Sequence, residues 1–453
     1  MNTYILKATL VFFTMVMTNA VKAQNTRIVD HVVLISIDGF RPEFYKESKW
    51  PVPNIKTFAE SGVTANGVRG VFPSVTYPSH TTLITGALPA THGIYYNSPF
   101  EYDEPSEKWY WEYNLIKTPT LYDAVKKKGL TSASFIWPVS VGAPVTYNIP
   151  EVWTLDRAYG RIEPMRDNET PKGLLAEMET AVLGKMNERT FNGDYLNRED
   201  RTGEMAAYVL EEYKPNFMTI HLIASDHFQH EEGREGKKVP FALAAIDRAI
   251  GKIKEAAERA GVLDRTTFII TGDHGFVDIH SALKPNVWLS ELGIVNADTE
   301  RKEWKAYFNT SGAAAFLHLK DKNDTKTLAE INAKLAGLPV SIKKLFRVVG
   351  QEELQEIGTD PNVVLAINPI PGIAMSGKAT GPLLEARSGG THGYFPDIKQ
   401  IQTGFVISGA GVASISKQID VIGLEDIAPL ISKLLNLDFA VKDGIYHPGI
   451  IVE

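Results

Sequence analysis

Short, continuous apolar runs alternate along this chain with longer segments whose apolar positions recur at helical spacing. The runs are "HVVLISID" (31–38), "SASFIW" (132–137), "NFMTIHLIA" (216–224), "TTFIITG" (266–272) and "TGFVISG" (403–409). Their continuous β-branched and apolar character predicts strands buried on both faces. Between them, "NIKTFAESG" (54–62) predicts a short helix stopped by Gly62, and "TPTLYDAVKKKG" (118–129) an amphipathic helix ended by Gly129. "TGEMAAYVLEEYKP" (202–215) predicts a helix closing before Pro215, and "VPFALAAIDRAIGKIKEAAERAG" (239–261) a long one closed by Gly261. Strand–helix alternation implies right-handed crossovers and an α/β fold, with a central mostly parallel sheet flanked by helices. The pattern changes over 290–381, where "AAAFLHLK", the polar helix "NDTKTLAEINAKLAG" and proline-rich turns from Asn368 to Pro371 predict a smaller inserted α/β domain. The catalytic core is therefore expected in two parts, 24–289 and 382–453, the second ending in the helix "GLEDIAPLISKLLNL".

Composition narrows the classes. The 453 residues are 44% hydrophobic and carry a net charge of −7. Residues 1–23 resemble an export signal: Lys7 precedes the apolar "ATLVFFTMVMTNA", and Val21 and Ala23 stand at the −3 and −1 positions of a cleavage site. Without them, 45 basic residues face 54 acidic ones, a balance that excludes a nucleic-acid polymer as the expected partner. No cysteine is present, which fits a bacterial periplasmic or secreted protein better than a disulfide-rich extracellular one. No other stretch is long and apolar, so no membrane span is expected after cleavage. The sequence leaves the oligomeric state open.

Candidate chemistry sits at the ends of the predicted strands, where open α/β sheets place their sites. Asp38 ends the first run, Asp273 and His274 follow "TTFIIT", and "ASDHFQH" carries Asp226 and His230. His392 lies in "GGTHGYFPD". Carboxylates and imidazoles from distant segments suit divalent cations. Individually each residue has a plainer role: Asp38 before Gly39 suits a turn, and a lone histidine is often structural. Asp226 and His230 share a helical face, and His227 competes for the same task. Thr76 precedes Tyr77-Pro78 and a helix-like "SHTTLITG", where amides and the helix dipole attract phosphate. It could equally cap that helix, as could Ser74 or Ser79. Asn97 could donate to a phosphoryl oxygen or serve as a turn residue. Tyr77 could wall a base or pack in the core.

Taken together, the segments resemble the nucleotide pyrophosphatase/phosphodiesterase family of the alkaline phosphatase superfamily. The resemblance runs from Val32 to about Gly444 and rests on "IDGFRPEFY", "FPSVTYPSHTTLITGALPATHGIYYN", "TGDHGF" and "GGTHGY". It implies an alkaline-phosphatase-like core and two Zn2+ ions. One would be held by Asp226, His230 and His392. The other would be held by Asp38, Asp273 and His274 with Thr76 as nucleophile. Asn97 and the Thr76 backbone would hold a phosphoryl oxygen. It further implies hydrolysis of nucleotide phosphodiester or phosphoanhydride bonds through a threonyl-phosphate ester. The alternatives on the same core are a phosphomonoesterase, a phosphonoacetate hydrolase, or a non-catalytic metal-binding relative. "SFIWPVSVGAPVTYN" has neither Lys nor Arg, and Trp137-Pro138 resembles the diesterase branch. A diester, with less charge, needs fewer cations. One departure is Gln229, where the family commonly has glycine before the second ligand of the "D…H" segment.

Overall fold

The computed structural model of the protein describes residues 27–101, 107–155, 160–296, 303–413 and 416–452. The expected export signal lies outside the described residues. Eight strands form the central sheet: β1 (His31–Ile37), β2 (Val63–Ala65), β3 (Ser132–Phe135), β4 (Tyr147–Ile149), β5 (Phe217–Leu222), β6 (Thr266–Thr271), a strand over Phe405–Gly409 and one over Lys417–Ile419. Their order places β1 between β5 and β6, parallel to both, with β3 and β4 beyond β5. The strand Phe405–Gly409 runs antiparallel to β6 and β2 and is the one reversal in the sheet.

Alternation along β1 explains its unbroken apolar sequence. Val33, Ile35 and Ile37 enter one core, while Val32 and Leu34 enter another on the opposite face. The first face is covered by helices Tyr195–Tyr213 and Val239–Arg259. The second is covered by Thr76–Thr85, Leu121–Lys127 and Ile427–Leu434. The first two helices approach closely at Gly203, where an added Cβ would lie 2.6 Å from Ala249 Cβ. That contact accounts for a glycine in a helix interior, where its entropy otherwise argues against it.

Two boundaries differ from expectation. The helix expected from Thr202 begins at Tyr195, capped by Asp194, whose side chain accepts from Asn197 N at 3.1 Å. Its first turns bury Arg198 and Glu199, so charged residues occupy the inward face and hide the apolar period. The strand "SASFIW" stops at Phe135 because Ile136 adopts a left-handed backbone (φ 55°). Within 290–381 lies a four-stranded antiparallel sheet of Ala306–Ser311, Ala314–Leu319, Val363–Pro369 and Phe346–Val349, accompanied by helix Thr325–Ala336. Phe72, just upstream of Thr76, packs on Phe316 of that sheet at 4.9 Å between ring centroids.

Candidate metal centre

The carboxyl ends of β1, β5 and β6 converge. Asp38 follows β1 directly, Asp273 and His274 follow β6, and helix Ala224–Glu232 after β5 carries Asp226 and His230. His392 arrives from a loop after Thr391. Two trios of ligand atoms result, Asp226–His230–His392 and Asp38–Asp273–His274, each with its atoms within 4.8 Å of one another. In the first trio, Nε2 of His230 and Nε2 of His392 are 3.1 Å apart, and they lie 3.3 and 3.6 Å from Asp226 Oδ1. In the second, His274 Nε2 lies 3.4 Å from Asp38 Oδ1 and 3.2 Å from Asp273 Oδ2. Ligands about 2.0–2.1 Å from a tetrahedral zinc are roughly 3.3–3.4 Å apart, so both trios fit the edges of such a polyhedron. The His274 and His392 rings stack at 3.5 Å and 9°, which makes the trios neighbours.

The protonation pattern fits a cation as well. The Nδ1 atoms of His230, His392 and His274 face the carbonyls of Gly390 (3.0 Å), Ser74 (2.9 Å) and Gly275 (3.1 Å). A carbonyl can only accept, so each Nδ1 carries a proton. Nε2 keeps its lone pair in His274 and His392, whereas at His230 burial is outweighed by the adjacent Asp226 carboxylate, which raises the imidazole. The buried atoms that find no hydrogen-bond partner include Asp38 Oδ1, Asp226 Oδ1, Asp273 Oδ2 and His274 Nε2, all atoms of the two trios. Burial lowers His274 to about 4 and holds His392 well below its ordinary range, so both are neutral donors of electron pairs. Burial, reinforced by the Asp226 and Asp273 carboxylates, pushes Asp38 well up. Three carboxylates crowded in one dry place call for positive charge. Among the described residues, every ion pair of these carboxylates is with a histidine, none with lysine or arginine.

Thr76 opens helix Thr76–Thr85, and residues on either side of it touch the two trios. Its carbonyl faces His80 Nδ1 at 2.8 Å, and the same nitrogen is 3.8 Å from Asp273 Oδ2. Two residues earlier, Ser74 O holds His392. The capping role is filled by none of the three candidates: the N-cap position is Val75, without a side-chain hydrogen bond. Ser74 Oγ is instead bonded to Tyr394 O and Gly393 N. Asn97 Oδ1 accepts from Tyr77 N at 3.0 Å, which leaves its Nδ2 hydrogens for another acceptor. Tyr77 departs from the expected substrate-lining role. It is 0% exposed and belongs to the core, because the helix start turns its ring inward onto Trp109 at 5.1 Å. The aromatic row continues through Trp153 to Trp111, with centroids 5.1 and 5.0 Å apart. Trp111 and Trp153 line a cavity of about 430 Å³ that also takes in Asn168 and Asp167.

Some neighbours carry no motif signal. His227 stacks on Tyr195 at 3.7 Å and is in neither trio. Glu199 Oε1 accepts from Ile223 N (2.7 Å) and Ala224 N (2.6 Å), which holds the start of the helix bearing Asp226 and His230. Ser225 Oγ donates to Asp38 O, and Gln229 Nε2 donates to Gly39 O at 3.0 Å. The residue that departs from the family pattern thus ties one trio's helix to the other trio's turn. Ala313 N, in the hairpin of the second sheet, donates to His392 O at 2.7 Å. His221 was legible only as a polar residue in an apolar strand, and it contacts Asp38 Oδ2 at 3.1 Å.

The profile of the family described as "Type I phosphodiesterase / nucleotide pyrophosphatase" matches residues 32–395. Mouse (Mus musculus) ectonucleotide pyrophosphatase/phosphodiesterase family member 3 is 26% identical over 254 residues, 54% of this chain and 24% of the mouse protein. The Xenopus laevis bis(5'-adenosyl)-triphosphatase enpp4 is 26% identical over 253 residues, 54% of this chain and 46% of the frog protein. The chain thus spans less than half the length of these relatives. In structure it is similar to human ectonucleotide pyrophosphatase/phosphodiesterase 5, with a TM-score of 0.64 at 18% identity, covering 92% of this chain and 97% of that one. An inactive threonine-to-alanine variant of the murine protein, in complex with AMP, aligns with a TM-score of 0.62 at 18% identity, over 92% of this chain and 97% of that chain. These structural likenesses establish the fold.

Proposed function

The chain belongs to the type I phosphodiesterase / nucleotide pyrophosphatase family, and from that premise we propose that it is a two-zinc hydrolase of nucleotide phosphodiester or pyrophosphate bonds with Thr76 as nucleophile. The observation that carries the reading is the pair of trios with unpartnered ligand atoms, reached from either side of Thr76: Ser74 O contacts His392 and His80 lies by Asp273, while Thr76 itself opens the helix free of any capping bond. Asp226, His230 and His392 would hold one zinc, and Asp38, Asp273 and His274 the other, with Thr76 beside the second. Zinc supplies charge stabilisation at phosphoryl oxygens and eases deprotonation of a hydroxyl or water.

Thr76 Oγ1 gives up its proton and forms a bond to phosphorus as the bond to the leaving oxygen breaks. The leaving oxygen takes up a proton and departs, and a threonyl-phosphate ester remains. Asn97 Nδ2 and the Thr76 amide donate to a non-bridging oxygen, where negative charge concentrates. Water then adds to phosphorus, the Oγ1–phosphorus bond breaks, and Thr76 regains its proton. Among the described residues no lysine or arginine pairs with the trio carboxylates, which supports a diester, whose phosphate carries one negative charge. The AMP held by the murine neighbour supports a nucleoside substituent. Export to the periplasm or beyond is proposed from residues 1–23.

The test is Thr76→Ala assayed on a chromogenic aryl phosphodiester. Turnover should fall by at least about 10³-fold, a loss of the size expected for a removed nucleophile, while two zinc ions per chain remain. Near-normal turnover in that variant would remove Thr76 from the mechanism. A wild-type rate on the matching monoester that exceeds the diester rate would overturn the substrate class.

A further inference from the structure

Behind Asp38 lies a buried row of groups that the hydrolytic reading does not use. His221, 2% exposed on β5, stands between two carboxylates. Its Nε2 is 3.1 Å from Asp38 Oδ2, and its Nδ1 is 3.1 Å from Ile136 O and 3.7 Å from Glu151 Oε2. Glu151, 6% exposed, is paired on its other oxygen with Arg161 Nη1 at 3.5 Å. Asp38 is thereby divided in function. Oδ2 is occupied by His221, whereas Oδ1 has no hydrogen-bond partner and lies 3.4 Å from His274 Nε2. The ring itself is fixed from both sides, since Ile136, with φ 55°, presents its carbonyl to Nδ1. His80 packs against the ring face with centroids 4.2 Å apart.

We propose that His221, backed by Glu151, is a positioning residue for the Asp38–Asp273–His274 cation site, holding Asp38 so that only Oδ1 is presented to the cation. The inference rests on the two-cation reading. Its reasoning is geometric. A free aspartate rotates about two bonds, and a carboxylate pinned through one oxygen offers the other in a set direction. Partners of this kind change cation affinity by about 10–100-fold when removed. The Asp226–His230–His392 site has its own partners, the carbonyls of Gly390 and Ser74, and takes nothing from His221. The effect should therefore be confined to one of the two sites.

Zinc affinity is measured by chelator competition, with site occupancy read from anomalous diffraction at the zinc edge. His221→Ala should weaken zinc at the Asp38 site by about 10–100-fold and leave the Asp226 site within about twofold. His221→Gln keeps an N–H near the Nε2 position and should recover most of the loss. Unchanged affinity at both sites in His221→Ala, or an equal loss at both, would overturn the proposal. If His221→Ala does not fold, Glu151→Gln takes its place: weaker zinc at the Asp38 site alone supports the proposal, and unchanged affinity refutes it. Wild-type protein that binds no zinc at either trio would instead sink the two-cation reading itself, so the two failures are distinguishable.

Discussion

Glu199 offers the sharpest check on how the scaffold holds the site. It is 1% exposed on helix Tyr195–Tyr213, and its Oε1 accepts both Ile223 N and Ala224 N, the first amides of the helix that carries Asp226 and His230. Burial, opposed by those two amide bonds, raises its carboxyl from 4.5 to about 7. The folded protein therefore binds this proton more tightly than the unfolded chain. The carboxyl's contribution to stability is complete below about 4.5 and is lost as pH rises through about 7. At about 1.4 kcal/mol per pH unit, the displacement amounts to roughly 3 kcal/mol. Glu199→Gln keeps a carbonyl oxygen for both amides and cannot ionise. Its stability relative to wild type should rise by about 3 kcal/mol between pH 4.5 and 8, measured by urea unfolding of zinc-free protein. Glu199→Ala leaves two buried amides without an acceptor and should cost about 2–4 kcal/mol at pH 5. Parallel stability–pH curves for wild type and Glu199→Gln would refute the argument, because they would mean that Glu199 titrates alike in both states.

Removal of zinc with a strong chelator should abolish diesterase activity, and added Zn2+ should restore it; full activity in metal-free protein would contradict the role given to the trios. Gly389 has φ 97°, and an added Cβ would lie 2.2 Å from His230 O, so Gly389→Ala should cost about 1–3 kcal/mol and displace the His392 loop. Zinc competition should then show about tenfold weaker binding at the Asp226 site. Gly203→Val forces apart the two helices that meet at Ala249 and should lower stability by about 1–3 kcal/mol, with an unchanged zinc stoichiometry. A thermal midpoint equal to wild type would show that the helices do not meet there.

Much of this architecture follows from local pattern. The runs that became β1, β5 and β6 read as strands because they are predominantly apolar and β-branched without alternation, and their two-sided burial between helices explains why. The pairing of Asp226 with His230 is likewise local, set by one helical turn. The remaining groupings are not. Asp38 meets His274 only because β1 lies next to β6, and His392 joins Asp226 across a separation that no spacing rule encodes. Buried charge is the other blind spot. Glu199, Glu151 and His221 read as polar interruptions in the sequence, yet they pack inward because each is near a partner contributed by another element. Tyr77 shows the same limit, since its sequence position beside Thr76 suggests a substrate wall while the helix start turns its ring into the core. The sequence by itself determined most of the strands and helices and supplied the candidate ligand residues, because those depend on residue type and short-range period. Only the tertiary structure showed that the two trios implied by the resemblance come together and which groups hold them, because those contacts are made where distant strand ends converge.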